Sequence, residues 1–340
     1  MDPSWWAVAI AGLIVGFVVG LTGMGGGALM TPVMILVFGV QPLAAVSSDL
    51  VASMIMKPVG GFVHLRRGTV NKELVKWLVI GSVPAAFAGV LVLRAIGNTE
   101  HTQTVVKTGL GIALLFAAGS MVAKALLDLR KAQLSKAAAA GQGDYVEARV
   151  EDLVIRPLPT VLIGVLGGLV VGMTSVGSGS LIIVSLLLLY PSIRAGSLVG
   201  TDLVQAVPLV ASASLGHLLF GDFQLGLTSS LLIGALPGVY LGARVSSSAP
   251  SGIIRRALVV VLMASGLKLL GAGTTLLVVV LVAAAVVVPL LYVVVYRNAR
   301  PDRARSIVGL FTRALTGRRP ASIAPPADLT AEVEEPPVQR

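Results

Sequence analysis

The chain contains no cysteine, and only 12% of its 340 residues are charged. The missing cysteine excludes a disulfide framework, thiolate chemistry and a Cys-bound metal. Three histidines are too few and too scattered for a histidine metal centre, so no cofactor is expected. The shortage of charge excludes an ordinary soluble domain, in which about a quarter of residues are charged. HExxH, CxxC and GxSxG motifs do not occur in a workable context, and no carboxylate pair sits with a nucleophile. An enzyme is therefore not expected. Met1-Asp2-Pro3-Ser4 offers no basic n-region, so no cleaved signal peptide is expected either.

What is present is apolar. Hydrophobic residues make up 55% of the chain, its mean hydropathy is +0.91, and several runs reach membrane-spanning length. The fold class read from this is an all-α polytopic membrane protein. The net charge of +10 lies mostly in loops and in the C-terminal region. It reads as membrane orientation, not nucleic-acid binding.

Two glycine-rich stretches interrupt the apolar runs. The first is Gly20-Leu21-Thr22-Gly23-Met24-Gly25-Gly26-Gly27, and the second is Gly172-Met173-Thr174-Ser175-Val176-Gly177-Ser178-Gly179. Glycine at this density does not sit comfortably in a helix interior. In hydrocarbon, unwound backbone survives only where it is buried in protein or lines a cavity. Each stretch therefore predicts a helix broken at membrane depth. Broken helices at matching places in two halves point to a transporter's binding site. The plainer alternative is that small residues only let helices pack closely.

The halves repeat. Gly12, Gly16, Gly20, Thr22, Gly25 and Gly27 recur as Gly164, Gly168, Gly172, Thr174, Gly177 and Gly179, a constant offset of 152. At an offset of 153, Asp49 matches Asp202, His64 matches His217 and Gly68 matches Gly221. Gly81, Pro84 and Gly89 then match Gly234, Pro237 and Gly242. The reading divides the chain into a first membrane repeat, 5–127, and a polar cytoplasmic linker, 128–157. A second repeat, 158–272, and an additional transmembrane helix, 273–297, follow. The remainder, 298–340, is a basic and then disordered cytoplasmic tail. The basic bias swaps sides between matched loops. Arg66, Arg67, Lys72 and Lys76 crowd one loop, while its counterpart, 221–225, has no Lys or Arg. Because positive residues stay cytoplasmic, the two homologous halves are expected to form an inverted repeat.

Each glycine stretch should be followed by a short helix, near Ala28 and near Ser180, with its N-terminus at depth. Such termini carry unpaired N–H groups and partial positive charge, and bind anions. The candidate substrate residues of the loops are Thr22, Gly23, Gly25, Gly26 and Gly27 with Thr174, Ser175, Gly177, Ser178 and Gly179. Ser180 adds a further hydroxyl. Many Ser and Thr side chains instead bond back to helix carbonyls. Charges inside a bilayer are costly and by default functional. Asp49, Ser53 and Lys57 follow in steps of four, on one helix face. Lys57 has no basic counterpart, since its match is Val210. It reads as the charge that receives an anion, or else as a structural partner of Asp49. Ser48, Thr201 and Gln205 complete the substrate candidates. Asp49, Asp202, His64 and His217 are coupling candidates, with interfacial caps as the alternative reading of the histidines.

The residues also resemble a known family. Gly23-Met24-Gly25-Gly26-Gly27 with Pro32, Ser47-Ser48-Asp49-Leu50 and His64-Leu65-Arg66-Arg67-Gly68-Thr69-Val70-Asn71 carry the likeness. The second half adds Gly200-Thr201-Asp202-Leu203-Val204-Gln205 and His217 through Gly221-Asp222-Phe223. Over about residues 8–272 the chain resembles the TauE/SafE sulfite and organosulfur exporter family. It departs from that pattern in the hydroxyl-rich second loop and in residues 273–340. The resemblance implies a bacterial inner-membrane, multi-pass carrier for small sulfur-containing anions such as sulfite or a sulfonate. The function expected is ion- or proton-coupled secondary transport through a midplane site between the two broken helices. An anion channel, or a membrane scaffold without coupled transport, is the alternative. The partners expected are a small anion, the lipid bilayer and a coupling ion.

Overall fold

A computed structural model describes residues 5–22, 26–66, 68, 70–97, 100–139, 154–191, 193, 195–245, 251–280 and 282–283. All of these fall within one compact unit, Met1–Tyr292. Among them the regular elements are helices. In the first half these are α1 (Trp5–Thr22), α2 (Gly27–Leu36), α3 (Pro42–Arg66), α4 (Lys72–Ile96) and α5 (Glu100–Ala139). In the second half α6 (Pro157–Thr174) is followed by a π-helical turn, Ser178–Ile182, that runs into α7 (Ile183–Leu189). Then come α8 (Ala195–Phe220), α9 (Leu225–Val245) and α10 (Ser251–Leu269). Among the described residues six helices are long and apolar enough to cross a membrane. Exposed Leu13, Ile14, Ile80, Phe116, Leu166 and Ile233 give them lipid-compatible outer faces.

Local chemistry sets the helix ends. Asn71 caps α4, its side chain accepting from the Leu74 N–H at 2.9 Å. Pro157 opens α6, where its missing N–H costs nothing. At the other end of α6, Ser175 adopts a left-handed conformation with φ 61°. Gly177, at φ 128°, then reverses the chain in a conformation that L side chains rarely adopt. Both glycine-rich stretches thus break their helices as the sequence predicts. The new helices begin at Gly27 and Ser178, one or two residues earlier than expected.

The first part of the 128–157 segment is helical, because α5 continues to Ala139. Ala, Leu, Lys, Arg and Gln dominate that stretch, and all are strong helix formers. The additional C-terminal helix lies largely outside the described residues; 274–280 are helical.

Glycines decide which helices meet. On α6, Gly164, Gly168 and Gly172 rest on the backbone of Leu78, Ser82 and Ala86, leaving no room for a Cβ. On α9, Gly234, Gly238 and Gly242 rest in the same way on Ala9, Leu13 and Phe17 of α1. Both series ascend together, so α6 runs parallel to α4, and α9 parallel to α1. Each half thereby lays one helix along the other half. Helix α8 also runs parallel to α4, through Asn71–Thr201, Ser82–Gln205 and Ser212–Val83 hydrogen bonds. Helices α3 and α8 run antiparallel, since Ser47 meets His217, Leu50 meets Ser214 and Gly61 meets Leu203. Helices α5 and α10 are antiparallel too, with Gly111 against Leu270 and Gly266 against Leu115. Between the parallel helices α6 and α8 the chain doubles back, placing Ile182 beside Gly167. The break is therefore the tip of a hairpin. In the first half α2 is antiparallel to α3, with Thr31 on Asp49 and Gly26 near Ser53.

Candidate functional site

The two broken segments touch. Gly27, the first residue of α2, lies so close to the Ser175 carbonyl that a Cβ could not fit between them. Helix α3 passes beside this junction and supplies two charges. Asp49 is fully buried, and its Oδ2 accepts hydrogen bonds from Thr31 at 3.2 Å and from Ser175 across the halves. Two turns on, Lys57 is 8% exposed, and its Nζ donates to Ser178 Oγ at 2.8 Å. Asp49 and Lys57 thus each reach from the first half into the second half's broken segment, to different hydroxyls. Lys57 also stands in the electrostatic field of both Asp49 and Asp202.

A small cavity opens at the junction. It is lined by Gly27, Lys57, Ser175, Gly177, Ser178 and Gly179, with Met121 and Leu262 among the apolar walls. The space open to the centre of a water molecule is about 20 Å³. That suits one water or one small ion and is too little for an organic sulfonate, because a single water already needs about 10–15 Å³ by this measure. The chain is thus caught with its central space nearly closed.

The remaining candidates divide. Asp202 accepts from Gln205 Nε2 at 3.2 Å, and Gln205 Oε1 accepts from Ser82 at 3.3 Å. Thr201 Oγ1 accepts from the Asn71 N–H at 3.0 Å, which ties α8 to the start of α4. Thr22 donates to the Val18 carbonyl and Thr174 to the Val170 carbonyl, so these two hydroxyls bond back along their own helices. Ser48 Oγ is buried with no hydrogen-bond partner among the described residues. Gly26 caps α2, its carbonyl accepting from Leu29 and Met30. Gly177 does the same for the π-helical turn. Gly23 and Gly25 lie outside the described residues, as does the side chain of His64, although its backbone belongs to α3.

His217 forms a contact between helices. It is fully buried, with Nδ1 2.8 Å from Ser47 Oγ and Nε2 2.8 Å from the Gly172 carbonyl. A carbonyl can only accept, so Nε2 carries a proton. His217 joins α3, α6 and α8 and is placed as a latch between halves. Sequence reasoning missed Thr31, Ser47 and Ser82 as site partners. Thr31 and Ser82 have no ionisable neighbour in sequence to mark them, and Ser47 is marked only by its place in Ser47-Ser48-Asp49.

Against this geometry, the match to known proteins decides the family. The family described as sulfite exporter TauE/SafE matches residues 8–269. The chain belongs to that family. Among curated relatives, the probable membrane transporter protein YjnA of Bacillus subtilis (strain 168) is 36% identical over 265 residues, covering 78% of this chain and 99% of the relative. The probable membrane transporter protein YdhB of the same organism is 23% identical over 259 residues, 76% of this chain and 96% of the relative. No solved structure matches. The chain is thus a multi-pass membrane transporter of the TauE/SafE family, and the contact of Gly27 with Ser175 lies inside the matched region.

Proposed function

We propose that this TauE/SafE protein is a secondary carrier for small sulfur-containing anions, sulfite or a sulfonate among them, driven by an ion or proton gradient. The observation that carries the reading is Lys57. A buried ammonium held to Ser178 in a nearly closed cavity offers an anion one full positive charge. Two helix starts add about half a charge each. A small oxyanion loses a large solvation energy on leaving water, and this arrangement compensates it. The hydroxyl of Ser178 accepts from Lys57 and keeps its own proton for an oxygen of the substrate, and the apolar walls exclude water.

Alternating access completes the proposal. The counterpart helices α3 and α8 run antiparallel, as do α5 and α10. These directions support an inverted repeat, with each hairpin re-entrant and the two tips meeting near the bilayer midplane. Rocking of one half against the other would open the cavity to each side in turn. A channel needs a continuous lined pore, and the described cavity is close to that of a single water.

The decisive measurement is two-part. Purified protein is melted in the presence of sulfite, thiosulfate, alkyl sulfonates and carboxylates, and the stabilising anion is then followed into proteoliposomes with and without imposed ion gradients. Saturable stabilisation by a sulfur oxyanion, with gradient-dependent uptake, is expected. Stabilisation by carboxylates alone would overturn the substrate class. Uptake indifferent to every gradient would overturn the carrier in favour of a channel.

A further inference from the structure

Beside the anion cavity lies a second group of buried oxygens that the anion reading does not use. Asp49 Oδ2 is fully occupied by the hydroxyls of Thr31 and Ser175. Its other oxygen, Oδ1, is buried with no hydrogen-bond partner among the described residues, and so is Ser53 Oγ one helical turn further along α3. Both atoms face the bare side of Gly26. A Cβ placed on Gly26 would lie 3.7 Å from Asp49 Oδ1, 3.8 Å from Ser53 Oγ and 3.4 Å from Met56 Cε. The missing side chain leaves a methyl-sized hollow there, within contact distance of two oxygens that have no described partner.

An orphaned buried carboxylate oxygen costs free energy unless something pairs with it. No described donor does so. Lys57, the cation whose field acts on Asp49, is shared with Asp202 and turns its ammonium to Ser178. An ionised Asp49 is acceptor-only, which leaves Oδ1 to pair with a cation. Ser53 offers lone pairs beside it. One carboxylate with hydroxyl oxygens is a hard, weakly charged ligand set. No group of three or more His, Cys, Asp or Glu side chains capable of holding a metal occurs among the described residues, which argues against a divalent transition metal.

We infer that Asp49 Oδ1 and Ser53 Oγ, over the open face of Gly26, form a binding site for a sodium-sized monovalent cation. Asp49 then links two ligands. Through Oδ1 it holds the cation, and through Oδ2 it fixes Ser175, whose loop lines the anion cavity. Cation occupancy would set the position of that loop and so couple cation and anion binding. The use of the cation as the driving ion rests on the carrier reading; the site itself does not.

The test is made without substrate. Melting temperatures of the purified protein are measured in NaCl, KCl and choline chloride at equal ionic strength and fixed pH, for the natural chain and for Gly26→Ala, Ser53→Ala and Asp49→Asn. Gly26→Ala adds one methyl at ordinary contact distances and at a helical φ of −57°, so it fills the hollow without disturbing the fold. NaCl is expected to stabilise saturably where KCl and choline chloride do not. Gly26→Ala and Ser53→Ala are expected to raise the half-saturating sodium concentration at least tenfold, and Asp49→Asn to remove the response. Equal stabilisation by all three salts would overturn the site. So would an unchanged sodium midpoint in both Gly26→Ala and Ser53→Ala. A wrong anion assignment leaves these melts unaffected. Sodium binding without sodium-dependent uptake keeps the site and removes only its use as driving ion.

Discussion

At the scale of single residues, the role of Lys57 can be separated from that of its neighbours. Lys57→Met is expected to weaken anion binding by about tenfold or more, since losing one charge-assisted hydrogen bond is worth about 1.5–3 kcal/mol. Lys57→Arg should be intermediate, because the guanidinium is larger and planar and meets Ser178 differently. If Lys57 serves only to balance Asp49, Lys57→Met combined with Asp49→Asn should recover transport; titrating anion affinity in the two single variants and the double variant tells these roles apart. His217 carries a different expectation. Its two ring nitrogens are engaged with Ser47 and Gly172 in the packed interior. His217→Ala strands those partners and should lower stability by about 1–3 kcal/mol, the cost of buried unsatisfied groups. Transport measured per folded molecule should survive. A normally stable His217→Ala protein with a lost pH dependence of uptake would instead make it a proton relay.

At the scale of elements, the glycines fall into distinct kinds. Gly168 lies against the backbone of Ser82, where nothing flexible can yield. Gly168→Leu should therefore cost at least the ~1–3 kcal/mol typical of overpacking and reduce folded yield in the membrane. Gly119 has no neighbour near a Cβ, so Gly119→Leu should leave yield unchanged. Gly177 has ordinary space but a φ of 128°. Gly177→Leu should deform the hairpin tip and abolish uptake while the protein still reaches the membrane. Yields by fluorescence-detected chromatography, read beside uptake, separate the three cases. The sequence made the broken helices legible, because glycine density and a constant offset are local signals. It did not reveal which helices would lie together. A glycine stripe states that something approaches closely and carries no address for what approaches. Asp49 and Lys57 were readable as buried charges, yet their partners Thr31, Ser175 and Ser178 come from other elements that only the fold brings near.

At the scale of the whole molecule, the proposed inversion makes a prediction about faces. Lys72, at the start of α4, and Gln224, before α9, are both exposed and occupy matched connections of the two halves. Cysteines introduced at these two sites in the cysteine-free chain should react with an impermeant reagent from opposite sides of the membrane; reaction from one side would replace inversion with a parallel repeat. The pairing of α1 with α9 has a further consequence, for biosynthesis. Helix α1 leaves the ribosome well before its close partner, which is made only once the chain has grown past Leu225. Until then the face of α1 that carries Ala9, Leu13 and Phe17 has nothing in the nascent chain to rest against. Helix α6 faces no such wait, since α4 is already in place when it emerges. The two halves, alike in sequence, must therefore be assembled in different orders, and the first hairpin stays open to lipid or to the insertion machinery for most of translation.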